Sequence, residues 1–336
     1  MKLFIPVFLL GLIMISCGKD KNSGVNAPAN LTVSAVVATD NSGNVNFTAS
    51  ASNATSYEYG FGNGVFQTIS SGAVTYRYPA SGTYTVTVVA KNSAGQVSKT
   101  IDVTVTVTLS LVWQDEFDTP GAPDPGKWGY DLGAGGWGNN ELQYYTNRLE
   151  NASVSGGTLK IVAKSEVFSG SNYTSARLLS KGKFSFKYGK LEFRAKLPTG
   201  GGTWPALWML GDNISTAGWP ACGEIDVMEH LGNQPNKIYG TLHYPGHSGG
   251  SADGNTTMIT NAQTAFHIYT VEWNSASIKI SVDGTVFHTV TNTNALPFNQ
   301  NFFLIMNIAM GGNFGGTVDP AFSIGTMEVD YVRVYQ

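Results

Sequence analysis

The sequence predicts an all-β protein in two parts, a small immunoglobulin-like β-sandwich followed by a larger β-jelly roll. Three observations lead there. Polar and apolar residues alternate with period two in short runs from about residue 28 onward, the pattern of half-buried strands. The 336 residues include 40 glycines, which punctuate those runs as turns. No stretch sustains the apolar period of a helix. A chain of this length is expected to form two domains or one large one. Its formal charge of −3 gives no basic footprint, which argues against nucleic acid as a partner. Aromatic residues make up 12% of the chain, a supply suited to sugar-stacking surfaces.

The first element is an address. Lys2 supplies a short basic region, Leu3 to Ile15 is mainly apolar, and Ser16-Cys17 closes it. Those 13 apolar-dominated residues are too short to cross a bilayer comfortably and read as an export signal. Met14-Ile15-Ser16-Cys17 resembles a bacterial lipobox, with Met where Leu is commoner. The resemblance implies residues 1–17 as a lipoprotein signal, cleavage before Cys17 and a lipid on its thiol. That lipid would attach an exported lipoprotein to a membrane of the cell envelope, at the outer membrane or cell surface. The alternative is an ordinary secretory signal with an incidental cysteine. Residues 18–27 are polar and read as a flexible tether. With Cys17 lipidated, only Cys222 remains, so no intramolecular disulfide can form. Cys222 itself reads as a small buried apolar residue.

Residues 28–107 contain period-two runs such as Leu31-Thr32-Val33, Val45-Asn46-Phe47 and Tyr84 to Val88. About seven strands in so short a span suggest an immunoglobulin-like sandwich without its disulfide. Tyr59-Gly60-Phe61-Gly62-Asn63-Gly64, followed by Tyr78-Pro79-Ala80-Ser81-Gly82-Thr83-Tyr84, resembles the polycystic-kidney-disease (PKD) repeat. The family pattern has Trp-Asp-Phe-Gly-Asp-Gly, so Tyr59, Gly60 and Asn63 depart from it. The resemblance implies the fold, and a spacer is the expected use.

Residues 109–336 carry the larger part. Strand-like segments fall at 157–164, 189–197, 238–244, 266–274, 277–282, 285–291, 302–309 and 327–335. Asp283-Gly284 between two alternating runs predicts a two-residue hairpin. An antiparallel jelly-roll sandwich is the simplest architecture, and a curved sheet within it offers a cleft.

Chemistry concentrates in Glu224-Ile225-Asp226-Val227-Met228-Glu229, a strand-like run with three carboxylates in a chain only 13% charged. Alternation puts Glu224 and Asp226 on one face and Glu229 on the other. One extra residue, a β-bulge near Val227-Met228, would return Glu229 to the side of its companions. Glu224 and Glu229 would then stand roughly 13 Å apart at their Cα atoms, within reach of each other's side chains across a curved sheet. Retaining glycoside hydrolysis needs two carboxyl groups about 5–5.5 Å apart, and the inverting route about 6.5–9.5 Å. Spacing alone leaves both open. Crowded carboxylates resist joint ionisation, which would keep Glu229 protonated while Glu224 stays charged.

The run matches the Glu-x-Asp-x-x-Glu signature of glycoside hydrolase family 16 in its bulged form, and the chain most resembles the bacterial laminarinases. Asp115 to Asp118, Gly136 to Tyr145, Ser175 to Arg177, Lys181 to Phe184, Gly202 to Leu210 and Val329 to Tyr335 carry the likeness in order. It implies a concanavalin-like β-jelly roll and an endo-β-1,3-glucanase acting on β-glucan by double displacement. Glu224 is then the nucleophile, Glu229 the acid and base, and Asp226 their modulator, with no cofactor for catalysis. Family relatives that cut agarose, carrageenan, porphyran or mixed-linkage glucan are the nearest alternative. A non-hydrolytic glycan-binding surface lipoprotein is the alternative from another class, and three clustered acids argue against it.

Trp204, Trp208 and Trp219 are expected at the sugar subsites, with one of them, Trp208, the candidate for a core position. Trp113, Trp128 and Trp273 read as packing residues. Asn139, Glu141 and Arg177 are expected to meet sugar hydroxyls, with Arg177 alternatively a structural clamp. His243 is expected to face the acid/base. The remaining histidines form no metal-ligand spacing. By resemblance, Glu116 and Asp330 are expected to contribute to a structural calcium. Phe314-Gly315 stands in a late glycine-rich loop where laminarinase-like members often carry Trp-Pro.

Overall fold

The computed structural model describes residues 25–336. The expected export signal, Cys17 and the start of the tether lie outside the described residues. Strands Ala29–Val37, Asn44–Ser52 and Ala73–Arg77 form one sheet, and Phe66–Ile69, Ser56–Gly60, Gly82–Asn92 and Gly95–Val105 form a second. Val45, Phe47, Phe61, Val86 and Val88 fill the space between them. Tyr59, which replaces the tryptophan of the repeat pattern, is fully buried and donates its hydroxyl to the Gly72 carbonyl at 2.6 Å. A buried phenol with its O–H satisfied costs little, so the departure is compatible with the fold.

The larger part is a sandwich of two antiparallel-rich sheets. The outer sheet is built around Thr158–Phe168, Ile324–Tyr335, Gly189–Lys196, His267–Trp273, Ser277–Val282 and Thr285–Thr291. The inner sheet holds seven strands. In chain order they are β1 (Gly129–Asp131), β2 (Arg177–Leu179), β3 (Thr203–Gly211), β4 (Glu224–His230), β5 (Lys237–His243), β6 (Asp253–Met258) and β7 (Phe302–Met310). Across the sheet they run β6-β5-β4-β3-β7-β2-β1. Side chains such as Phe193, Val271, Ile280 and Val332 from one sheet meet Leu207, Ile225, Val227 and Leu304 from the other in a single core. The face of the inner sheet turned away from that core is free to carry a site.

All eight strands expected in this part form, and the Asp283-Gly284 hairpin joins Ser277–Val282 to Thr285–Thr291. β3 is not among the strands expected from the sequence; it pairs with β4 on one side and β7 on the other. Pro205 lies inside it. Proline cannot donate to a ladder and is normally kept out of central strands, which hides this one. Trp113 packs on the core while Trp128 and Trp273 are buried within it, as expected.

Candidate active site

β4 supplies the acids, and its register explains how. Asp226 pairs with Trp208 of β3 and Thr241 of β5, and Glu229 pairs with Ala206 and Tyr239. Three steps along β4 thus match two along each neighbour, so one extra residue is accommodated at Val227-Met228. Ile225, Val227 and Met228 are all buried in the core, which leaves Glu224, Asp226 and Glu229 together on the cleft side. The expected bulge is present. Opposite it on β5 sits Gly240, where a side chain would meet the Phe287 ring at 2.8 Å. Two consecutive core side chains on β4 face a residue that has none.

The acids line a cleft of about 870 Å³ running across the sheet. Asp226 is 3% exposed and Glu229 7%. Trp219 Nε1 donates to Glu224 Oε2 at 2.8 Å, and Trp204 Nε1 donates to Glu229 Oε1 at 2.9 Å. Thr241 Oγ1 donates to Glu229 Oε2 at 3.3 Å. Burial is the main force raising all three carboxyl pKa values. Glu224 and Asp226 are pushed well above the carboxylate range, Glu224 also by Asp226 and Asp226 also by Glu229. Glu229 is raised too, against the pull of its Trp204 and Thr241 donors and of His243. Oxygens of Glu224 and Asp226 lie within 4.8 Å of each other, close enough that the two carboxyl groups resist joint ionisation. The Trp219 N–H and nearby His243 favour a charge on Glu224, and the Trp204 and Thr241 donors with His243 favour one on Glu229, each against the opposing effect of burial.

His243 lies in the cleft, but not where expected. It pairs with Glu224, and its Nε2 is 3.3 Å from Asp226 and 3.8 Å from Glu224, so it faces the other end of the acid run from Glu229. Its Nδ1 accepts the Gly249 backbone N–H at 3.2 Å, which leaves the proton on Nε2. Glu224, Asp226 and His243 have ligand atoms within 4.8 Å of one another. A metal on Nε2 would force the proton onto Nδ1, against the Gly249 N–H, so this trio does not fit a metal ion.

Trp208 meets both of its expectations: it lines the cleft and packs against a small apolar cluster of Leu210, Cys222, Phe303 and Ile305, and its Nε1 donates to Asn307 Oδ1 at 2.8 Å. All three tryptophans of this region reach the cleft, because positions 204 and 208 share a face of β3. Arg177 is held as a clamp: its guanidinium lies 5.1 Å from Trp137 and 4.8 Å from Trp208, and its Nε is 3.0 Å from Asp131. Asn139 and Glu141 also line the cleft. Glu141 is mostly occupied, accepting from Gln143 Nε2 at 2.6 Å, Tyr145 Oη at 3.1 Å and Asn139 Nδ2 at 3.3 Å. Its role is closer to buttress than to sugar contact.

Glu116 and Asp330 do not offer the donor set a calcium ion wants. Arg333 grips both oxygens of Glu116, at 2.8 and 2.9 Å, and Arg194 pairs with Asp330. Charge-paired carboxylates are already satisfied. Cys222 is fully buried, and burial pushes its thiol up to about 11, which removes it as a nucleophile. Sequence reasoning missed Thr241, Tyr239 and Asn307 as cleft residues. Tyr239, Thr241 and His243 are spaced by two along β5, so strand alternation from His243 would have found the first two.

The family model for glycosyl hydrolases family 16 matches residues 139–333, and that for the PKD domain matches residues 24–105. A beta-glucanase of Rhodothermus marinus is 48% identical over 242 residues, covering 67% of this chain and 85% of that protein. A glucan endo-1,3-beta-glucosidase A1 of Niallia circulans is 42% identical over 260 residues, covering 68% of this chain and 38% of that longer protein. The X-ray structure of the laminarinase from Rhodothermus marinus superposes with a TM-score of 0.66 at 48% identity, over 68% of this chain and 98% of that one.

Proposed function

The chain belongs to the glycosyl hydrolases of family 16, with a PKD domain ahead of the hydrolase, and on that premise we propose that it cleaves β-1,3-glucan internally with retention of configuration. The observation that carries the reading is the bulge in β4, which delivers Glu229 to the same cleft as Glu224 and Asp226. Glu224 attacks the anomeric carbon while Glu229 passes its proton to the departing glycosidic oxygen. The C1–O bond to the leaving sugar breaks and an ester to Glu224 forms. Glu229, now ionised, takes a proton from the water that displaces the ester, and Glu224 leaves as carboxylate. Asp226, whose carboxyl lies within 4.8 Å of that of Glu224, tempers its charge between the two steps. Positive charge developing on the sugar ring further favours the Glu224 anion.

An uncharged glucan suits this cleft. Among the described residues lining it, Arg177 is the one Lys or Arg, and Asp131 with two indoles already engages it. A sulfated galactan would meet little free positive charge. Indole faces of Trp204, Trp208 and Trp219 offer stacking surfaces for pyranose rings. The reading extends to the address: lipid attachment at Cys17 would hold the hydrolase at the cell envelope. Purified protein should release reducing ends from laminarin, with the β anomer first by proton NMR. An α-configured first product would remove Glu224 as nucleophile, and action on agarose with none on any β-glucan would overturn the substrate.

A further inference from the structure

We propose that Trp219 and Trp204 are positioning residues for the reaction, each holding one working glutamate through its indole N–H while its ring face lines the sugar path. The inference rests on the assignment of Glu224 as nucleophile and Glu229 as acid and base. The geometry is paired. Trp219 reaches Glu224 Oε2 at 2.8 Å from the segment before β4, and Trp204 reaches Glu229 Oε1 at 2.9 Å from β3. Both are well-formed N–H···O hydrogen bonds. Trp208, the third indole of the cleft, supplies the contrast: its N–H goes to the neutral amide of Asn307.

Both rings are held in place. Phe314 stands edge-on to Trp204 at 5.4 Å and 82°, and also edge-on to Tyr239 at 5.0 Å and 76°. Trp219 lies 5.7 Å from the His243 ring. Trp219 is nonetheless 49% exposed, so the donor on Glu224 works beside open water until a sugar covers it. A hydrogen bond strengthens when water is displaced from around it. A filled subsite would then tighten the hold on the glutamate beneath it, coupling substrate occupancy to the charge that the chemistry needs. Each donor favours the anion of its own glutamate. The other groups facing the pair are Asp226 on β4, Tyr239, Thr241 and His243 on β5 and, farther along the cleft, Arg177 on β2 and Glu141. None of these is hydrogen-bonded to either indole N–H.

Trp219→Phe and Trp204→Phe keep an aromatic face and delete the donor. The test is the pH dependence of kcat/KM for each full chain on a soluble β-1,3-glucan oligosaccharide, with thermal unfolding to verify the fold. Trp219→Phe should move the acid limb to higher pH and leave the alkaline limb in place, because Glu224 ionises later. Trp204→Phe should move the alkaline limb to higher pH and spare the acid limb, because Glu229 keeps its proton longer. On the acid limb Trp219→Phe should lose roughly tenfold more than at the plateau, the factor for about 1.4 kcal/mol of hydrogen bonding to a charged group. Phe314→Leu loosens Trp204 without touching Glu229 and should shift the alkaline limb in the same direction, which keeps the test alive if Trp204→Phe does not fold. Losses of activity with both limbs unmoved would make the tryptophans platforms alone and leave the glutamate roles standing. Limbs that move in exchanged order would instead overturn the glutamate assignment.

Discussion

Replacing Glu224 by glutamine should stabilise the protein at neutral pH while removing its nucleophile. Glu224 and Asp226 present oxygens within 4.8 Å of each other inside the cleft. Two full charges at that distance repel by about 3.5 kcal/mol at an effective dielectric of about 20. Partial protonation of the buried pair relieves part of this, so a gain of about 1–3 kcal/mol is expected. For a domain of this size that is a rise of several degrees in Tm, at about 2–4 °C per kcal/mol. The sign follows from linkage. Burial holds the folded pKa of Glu224 well above its ordinary value. Stability is therefore lost as pH rises from the unfolded glutamate value, about 4.3, toward the folded one. Below that window Glu224 is protonated in both states, and the advantage of glutamine should vanish. Calorimetry of wild type and Glu224→Gln at about pH 3.5 and pH 7 measures both arms. A variant less stable than wild type at pH 7, or equally favoured at both pH values, would refute the electrostatic account of the cluster.

Two further outcomes follow from the same geometry. Deleting Val227 removes the bulge and should turn Glu229 toward the core, abolishing hydrolysis and costing about 3 kcal/mol or more for a buried, unpaired carboxyl; an active, equally stable deletion variant would show that the bulge does not place Glu229. Cys17→Ala should release the protein from the membrane fraction of an expressing bacterium into the soluble one, and unchanged membrane association would rule out lipid attachment at that residue.

Much of the site could be read from the chain because acids inside an apolar strand have few structural uses. Strand alternation leaves Glu229 on the wrong face, and one inserted residue is the smallest repair, so the bulge at Val227-Met228 is legible in the sequence. Pro205 hides β3, so the sequence points to Trp204 and Trp208 through the chemistry of indole faces rather than through the strand face that the two share. His243 was misplaced because its partner depends on where the bulge shifts the β4–β5 register, a tertiary outcome rather than a local one. The partner of Glu116 is set at longer range. Arg333 lies 217 residues from Glu116, and only folding brings the guanidinium to it. Tyr59 shows the opposite case: a departure from the repeat pattern that the core absorbs by finding a carbonyl for one hydroxyl.

The most direct test of the mechanism is to trap its ester. A 2-deoxy-2-fluoro β-glucoside extended by one β-1,3-linked glucose and carrying an activated leaving group should label the enzyme once, and peptide mass mapping should find the sugar on Glu224. A sugar found on Asp226 or Glu229, or turnover that never yields a covalent species, would contradict the account.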